Sequence, residues 1–168
     1  MCRKVGVTDV KSRAMRMLLW AAVIGMMAVI FAFSSQPGPE SDKLTEAAAM
    51  PIAELIAAIR DGHDEALILH IYNIAGTIIR KAAHVCEYAL LGLLLRLLCQ
   101  SHGWPQRWLP FGVGMAYAAS DELHQFFVPG RQGAVTDVLI DSAGVFIGVF
   151  CIIHLIDMIR RNHHVHDQ

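Results

Sequence analysis

The chain has 168 residues, of which 55% are hydrophobic and 17% are charged, and its formal net charge is −1. An ordinary soluble domain carries roughly a quarter charged residues, so this composition favours a membrane protein of one domain. Basic residues cluster only in short segments near the chain ends, which gives no indication of nucleic-acid binding.

The first hydrophobic segment, residues 17–33, contains no charged residue. At 1.5 Å per residue it would be about 25 Å long, which suits a membrane span. A cleaved signal peptide is the alternative, because basic residues precede the segment. No Ala-x-Ala-like cleavage site follows, so we predict an uncleaved transmembrane helix.

Three further segments, residues 82–99, 108–127 and 135–156, are apolar enough to score as spans although each contains ionisable side chains. We therefore predict an all-α fold, an integral membrane helical bundle with four transmembrane helices. This domain comprises residues 17–157, between an N-terminal segment of residues 1–16 and a tail of residues 158–168.

Orientation follows from the basic residues that flank the spans. Five precede the first span: Arg3, Lys4, Lys11, Arg13 and Arg16. Residues 37–79 are rich in acidic side chains, which places them outside the cell. Arg80, Lys81 and Arg131 are exceptions, because they are basic residues at the predicted outer face. We predict a multi-pass protein of the cell membrane with both termini in the cytoplasm.

Residues 37–80 form a predicted helical segment on the outer face. Ser41 and Asp42 are a helix-start signal, Pro51 should kink or restart that helix, and Gly62 should break the chain before an amphipathic stretch that runs into the second span. The segment either lies on the membrane surface or forms a cap that packs on itself.

Ionisable side chains of the last three spans fall at one depth near the predicted outer face. Their spacing places Lys81, His84 and Tyr88 on one helix face, and Asp121, His124 and Gln125 on another, with Asp137 and Asp141 on a third. A charge that faces lipid costs about 2.5–3.5 kcal/mol even on the insertion scale. We therefore predict an outward-open polar pocket in which these groups pair.

Three segments together resemble the VanZ-like family of small membrane proteins: FSSQPG, RKAAHVCEY and SDELHQFFVPGRQGAVTDVLIDSAG. The resemblance covers nearly the whole chain. It implies a relation to a family named for a protein associated with low-level teicoplanin resistance. The residues that match family-typical polar positions are Ser34, Gln36, Lys81, His84, Glu87, Tyr88, Asp121, Glu122, His124, Gln125, Arg131 and Asp137. Asp141 departs from the pattern, because many relatives have Asn in that stretch.

The polar pocket is compatible with several kinds of chemistry. His–carboxylate pairs at i, i+3 resemble metal sites in helical bundles, but H-x-x-E is a short motif, so we predict no metal and leave the cofactor open. Acid–base catalysis would use His84, Glu87, Asp121, Glu122 and His124, with Ser120 a weak candidate nucleophile. A structural network that only holds helices together is a further alternative.

Small residues predict close helix packing in the third and fourth spans. Gly112, Gly114, Gly144 and Gly148 allow backbones to approach, and the last two form a GxxxG step. We interpret this step as packing within the chain, and a homo-oligomer stays an open alternative.

The leading functional expectation is an envelope protein that binds an amphiphilic ligand, such as a lipid-linked envelope precursor or a lipoglycopeptide such as teicoplanin, with membrane lipids as partners. Whether it also modifies this ligand is left open. The residues expected to bind the ligand are Gln36, Lys81, Tyr88, Gln125, Arg131, Asp137 and Asp141. One alternative is a membrane-embedded hydrolase or transferase that uses the His–carboxylate cluster. The other is a non-catalytic partner in envelope assembly.

Overall fold

The computed structural model describes residues 7–59, 65–131 and 133–152, together with residues 154, 155 and 158. These residues are helical or form connections between helices. The helices are α1 (Val7–Ser34), α2 (Gly38–Ile59), α3 (Glu65–Ser101), α4 (Trp108–Gln125) and α5 (Val135–Phe146). A π-helical segment, Ile147–Ile152, continues α5. The predicted all-α fold is confirmed.

Three helical regions of the described chain are long and apolar enough to cross a membrane: Ser12–Ser34, Glu65–Ser101 and Val135–Ile152. The structure therefore supports three of the four predicted spans, namely the first, the second and the fourth. The helix α4 occupies the predicted place, but it ends in the polar sequence SDELHQ, so its apolar part covers only about 18 Å at 1.5 Å per residue. A fourth crossing stays a prediction.

The outer segment forms a helical hairpin, because α2 packs against the first half of α3. Its contact face is a stripe of alanines, Ala49, Ala53 and Ala57, which are buried. The helix starts at Gly38, three residues before the predicted start, with Pro39 in the first turn, where a missing N–H is tolerated. It continues through Pro51 to Ile59, so the helix does not restart there, and the alternative of a kink at Pro51 stays a prediction. The predicted break at Gly62 lies outside the described residues.

Packing on itself is thus shown for the outer segment, whereas its position relative to the membrane stays a prediction. The second half of the hairpin runs without interruption into the second predicted span, as the sequence indicates. At 37 residues, α3 is about 55 Å long, which is well beyond the roughly 30 Å core of a bilayer.

The core of the bundle lies where α3 meets α4 and α5. Tyr88, Leu91, Ala118, Val145 and Val149 are fully buried there. Close approach of the backbones requires two glycines of the predicted GxxxG step. A Cβ at Gly144 would lie 2.6 Å from the Val85 carbonyl oxygen, and one at Gly148 would overlap the Ala89 carbonyl.

The interpretation of this step as packing within the chain is therefore confirmed. Gly114 also packs closely, against Val145. The expectation for Gly112 is wrong, because a Cβ there would meet no atom within 4 Å.

Candidate functional site

Polar side chains from four helices meet at one end of the bundle. The C-terminal ends of α1 and α4, the N-terminal end of α5 and the middle of α3 are joined there by hydrogen bonds and ion pairs between side chains. These are the groups that the sequence placed at one depth. They divide into a buried network, which links α1 to α4, and an open polar cleft between α3, α4 and α5.

The buried network centres on Asp121. Its Oδ2 accepts hydrogen bonds from the Ser34 hydroxyl at 2.7 Å and from the Gln125 amide at 3.1 Å. All three residues are buried. Because a carboxylate that accepts two hydrogen bonds inside a helical bundle is costly to replace, this arrangement fixes α1 against α4. Asp121 is not among the residues that line the polar cleft, so the structure places this predicted catalytic residue in the buried network.

Arg131 extends the buried network to the end of α1. Its guanidinium donates to the carbonyl oxygens of Gln36 at 2.9 Å and Phe33 at 3.1 Å, and to Gln125 Oε1 at 3.0 Å. The last carbonyls of a helix lack partners within the helix, and basic side chains commonly satisfy them. At the end of α1 and just beyond it, Arg131 therefore binds backbone carbonyls.

The polar cleft consists of two adjoining depressions that share Arg80, His84 and Arg131. The first, between α3, α4 and α5, is also lined by Lys81, Glu122, Gln125, Asp137, Ile140 and Asp141. The second, toward α1 and α2, is also lined by Phe33, Gln36, Thr45, Ile79, Ala83 and Glu87. The second depression holds about 250 Å³, close to the lower limit of about 300 Å³ for pockets that bind small ligands.

An ion pair and a histidine–carboxylate contact bridge α3 and α5 across the first depression. Lys81 pairs with Asp137, and both side chains are about 40% exposed, at 42% and 37%. His84 Nδ1 lies 3.5 Å from Asp141 Oδ1, and the Asp141 side chain is buried. The Lys81 pair is thus accessible to a competing anion, whereas Asp141 serves to hold His84.

Glu122 forms a hydrogen bond with the connection that follows α4. Its Oε1 accepts a hydrogen bond from the backbone N–H of Ala134 at 2.7 Å. The bond closes the turn before α5 and leaves the carboxyl group at the wall of the cleft.

His124 and Tyr88 do not line the cleft. His124 Nε2 lies 3.1 Å from the Ser35 hydroxyl, and its ring stacks on Phe31 at a centroid distance of 4.5 Å. Tyr88 is buried in the core, where its ring lies 6.2 Å from that of Tyr117. The predicted pair of His84 and His124 in one pocket is therefore not formed.

The cleft also contains residues that sequence reasoning missed. Arg80 lines both depressions and Thr45 lines the second. Arg80 stands beside Lys81 just before the second predicted span. A basic residue at the predicted outer face is unusual, and this could have marked Arg80 as a site residue. Thr45 had no such signal, because it reaches the cleft only through the packing of α2 on α3.

In the described part of the chain, no group of three His, Cys, Asp or Glu side chains is placed to hold a metal ion. Ser120, the candidate nucleophile, donates its hydroxyl to the Tyr117 carbonyl at 2.8 Å and is not among the cleft residues. The geometry places two cationic side chains of α3, Arg80 and Lys81, in the wall of the cleft. Two carboxylates of α5, Asp137 and Asp141, line the same depression.

Fold and site together define a helical, membrane-type protein with a polar cleft at an end of its bundle. The model of the VanZ/LLP1 family matches residues 19–157, and the chain belongs to this family. No curated protein and no solved structure matches the chain.

Proposed function

We propose that this protein binds an amphiphilic ligand with an anionic head group at the polar cleft. A lipid-linked envelope precursor and a lipoglycopeptide such as teicoplanin are the ligand classes that the family resemblance suggests. The observation that carries the proposal is the half-exposed ion pair of Lys81 and Asp137, beside Arg80 in the wall of an open cleft.

The division between buried network and cleft supports binding over a purely structural role. The hydrogen bonds of Ser34 with Asp121 and of Phe33 with Arg131 already tie α1 to α4 and to the turn that follows it, and Gln125 and Arg131 line the cleft as well. An exposed ion pair contributes about 0–1 kcal/mol to stability, so Lys81 and Asp137 add little as scaffold. A phosphate or carboxylate can replace Asp137 as the partner of Lys81 through charge-assisted hydrogen bonds.

The proposal includes an orientation in which the cleft opens to the outside of the cell and α4 crosses the membrane. In a variant without native cysteines, an impermeant thiol reagent applied to intact cells should label Glu46→Cys and Pro129→Cys but not Trp104→Cys. All three positions are exposed. Labelling of Trp104→Cys in intact cells would contradict the orientation, and unlabelled Pro129→Cys would show that α4 does not cross.

Paired histidine variants test the ligand site. Glutamine keeps a donor and an acceptor but does not titrate near neutral pH, so His84→Gln should leave the membrane level unchanged and abolish tolerance to teicoplanin in cells that express the protein. His124→Gln is the matched control, since it changes the same chemistry outside the cleft. Immunoblots and drug-susceptibility assays on the same cultures give the comparison.

Two outcomes oppose the proposal. If the wild-type protein confers no tolerance, teicoplanin is not the ligand. If His84→Gln and His124→Gln lose tolerance only in proportion to their membrane levels, the cleft serves as scaffold.

A second candidate function rests on the contact of His84 with Asp141. A buried carboxylate beside Nδ1 is the arrangement that orients an imidazole as a general base. A hydrolase or transferase would then use His84, with Glu87 or Glu122 as the second acid–base group in the cleft. Conversion of an added lipid-linked precursor by purified protein, lost in His84→Gln, would distinguish this function from binding alone.

A further inference from the structure

The helical hairpin carries an apolar groove next to the polar cleft. Its lining consists of aliphatic side chains from both helices: Ile52 and Ile56 from α2, and Ile71, Ile74, Ala75 and Ile78 from α3. The lining exposes no polar surface. Ile79 belongs to both cavities, because it lines the groove and the second depression of the cleft. The two are therefore neighbours on one surface.

The groove lies beyond the end of the bundle. The helix α1 ends at Ser34, and the cleft brings Phe33 of α1 together with Arg80 and His84 of α3. Residues 65–79 of α3 thus extend past this level by about 22 Å. Ile74 is 47% exposed and Ile78 is 61% exposed. Exposed apolar side chains grouped in this way indicate a surface that an apolar ligand or partner contacts.

We infer that the groove holds one hydrocarbon chain of a membrane lipid whose anionic head group occupies the polar cleft. This inference rests on the proposed function and names its ligand class. The groove holds about 320 Å³ and its lining is entirely aliphatic, which suits a single linear hydrocarbon chain.

Charge at the junction supports the same occupant. Arg80 lines the second depression together with Ile79 of the groove, and Lys81 lies one helical turn from Ile78 of the groove. A lipid that enters from the bilayer would place its phosphate near these cations and its chain along the isoleucines. The protein would then hold the chain apart from the surrounding bilayer.

The experiment uses the full chain in vesicles that contain phosphatidylglycerol with a photoactivatable diazirine on one acyl chain. After illumination, mass spectrometry of peptides locates the label. We expect label on the groove residues of α2 and α3. Ala75→Trp fills the groove and Ile78→Gln makes it polar, so each should lower this label about tenfold. Ala58→Trp, an exposed position of α2 outside the groove, is the matched control and should keep it.

The results distinguish a failure of the groove inference from a failure of the proposed head-group site. Label confined to α1, α4 and α5, or groove label that neither variant reduces, overturns the inference. Total lipid labelling that does not change in Lys81→Met would instead contradict the proposed head-group site, which the groove variants leave intact.

Discussion

Replacing Gly148 with alanine is expected to destabilise the protein by roughly 3 kcal/mol, the upper end of the usual cost of overpacking. The added Cβ would overlap the carbonyl oxygen of Ala89 in α3. A backbone atom cannot move aside as a flexible side chain can, so α5 and α3 must separate. The Lys81 and His84 contacts across this interface would weaken as well.

Gly112→Ala is the matched control for this substitution. A Cβ there meets no atom within 4 Å, and alanine favours a helix over glycine by about 1 kcal/mol. Unfolding of both variants in detergent, followed by circular dichroism, measures the difference. Equal stabilities of Gly148→Ala and Gly112→Ala would show that α3 and α5 do not pack as closely as described.

Arg131→Ala is expected to destabilise the protein by about 2 kcal/mol. The variant loses hydrogen bonds to Phe33, Gln36 and Gln125, and such bonds in membrane helical bundles average about 0.6 kcal/mol each. For a chain of this length, the melting temperature in detergent should fall by about 4–8 °C.

The control for Arg131 is Lys43→Ala, which removes a cation from an exposed position of α2. It should melt within about 1 °C of the wild type, since exposed substitutions change stability little. An unchanged melting temperature in Arg131→Ala would mean that the guanidinium does not hold the end of α1. Arg131 would then be available chiefly to ligand.

The sequence predicts most of the fold because hydropathy marks long apolar helices directly. Residues 17–33 and 82–99 lie inside helices that the structure describes. The start of α2 at Gly38 was missed, since the strong cap signal at Ser41 and Asp42 outweighed Pro39. The π-helical end of the last span was missed too, because π-helical and α-helical hydrogen bonding share the same apolar composition.

The site was predicted in its composition but not in its internal division. Spacing along α4 put Asp121, His124 and Gln125 on one face, and this face meets the end of α1: Asp121 and Gln125 contact Ser34, and His124 contacts Phe31 and the following Ser35. Periodicity locates a face and does not say which neighbouring helix each residue meets. The carbonyl partners of Arg131 were not predictable either, because backbone acceptors at a helix end carry no sequence signature.

Two opposite substitutions distinguish most clearly between a Lys81 that binds an anionic head group and a Lys81 that only stabilises the fold. Lys81→Met removes the cation, whereas Asp137→Asn removes its internal competitor. If the pair is scaffold, both changes should act in the same direction. If it is a binding group, they should act in opposite directions.

Native mass spectrometry of the gently purified protein measures this directly as the fraction of chains that retain an anionic amphiphile. We predict retention in the wild type, a loss of about tenfold in Lys81→Met, since one charge-assisted hydrogen bond contributes about 1.5–3 kcal/mol, and higher retention in Asp137→Asn. Absence of any retained amphiphile in the wild type, or equal retention in all three proteins, would contradict the account.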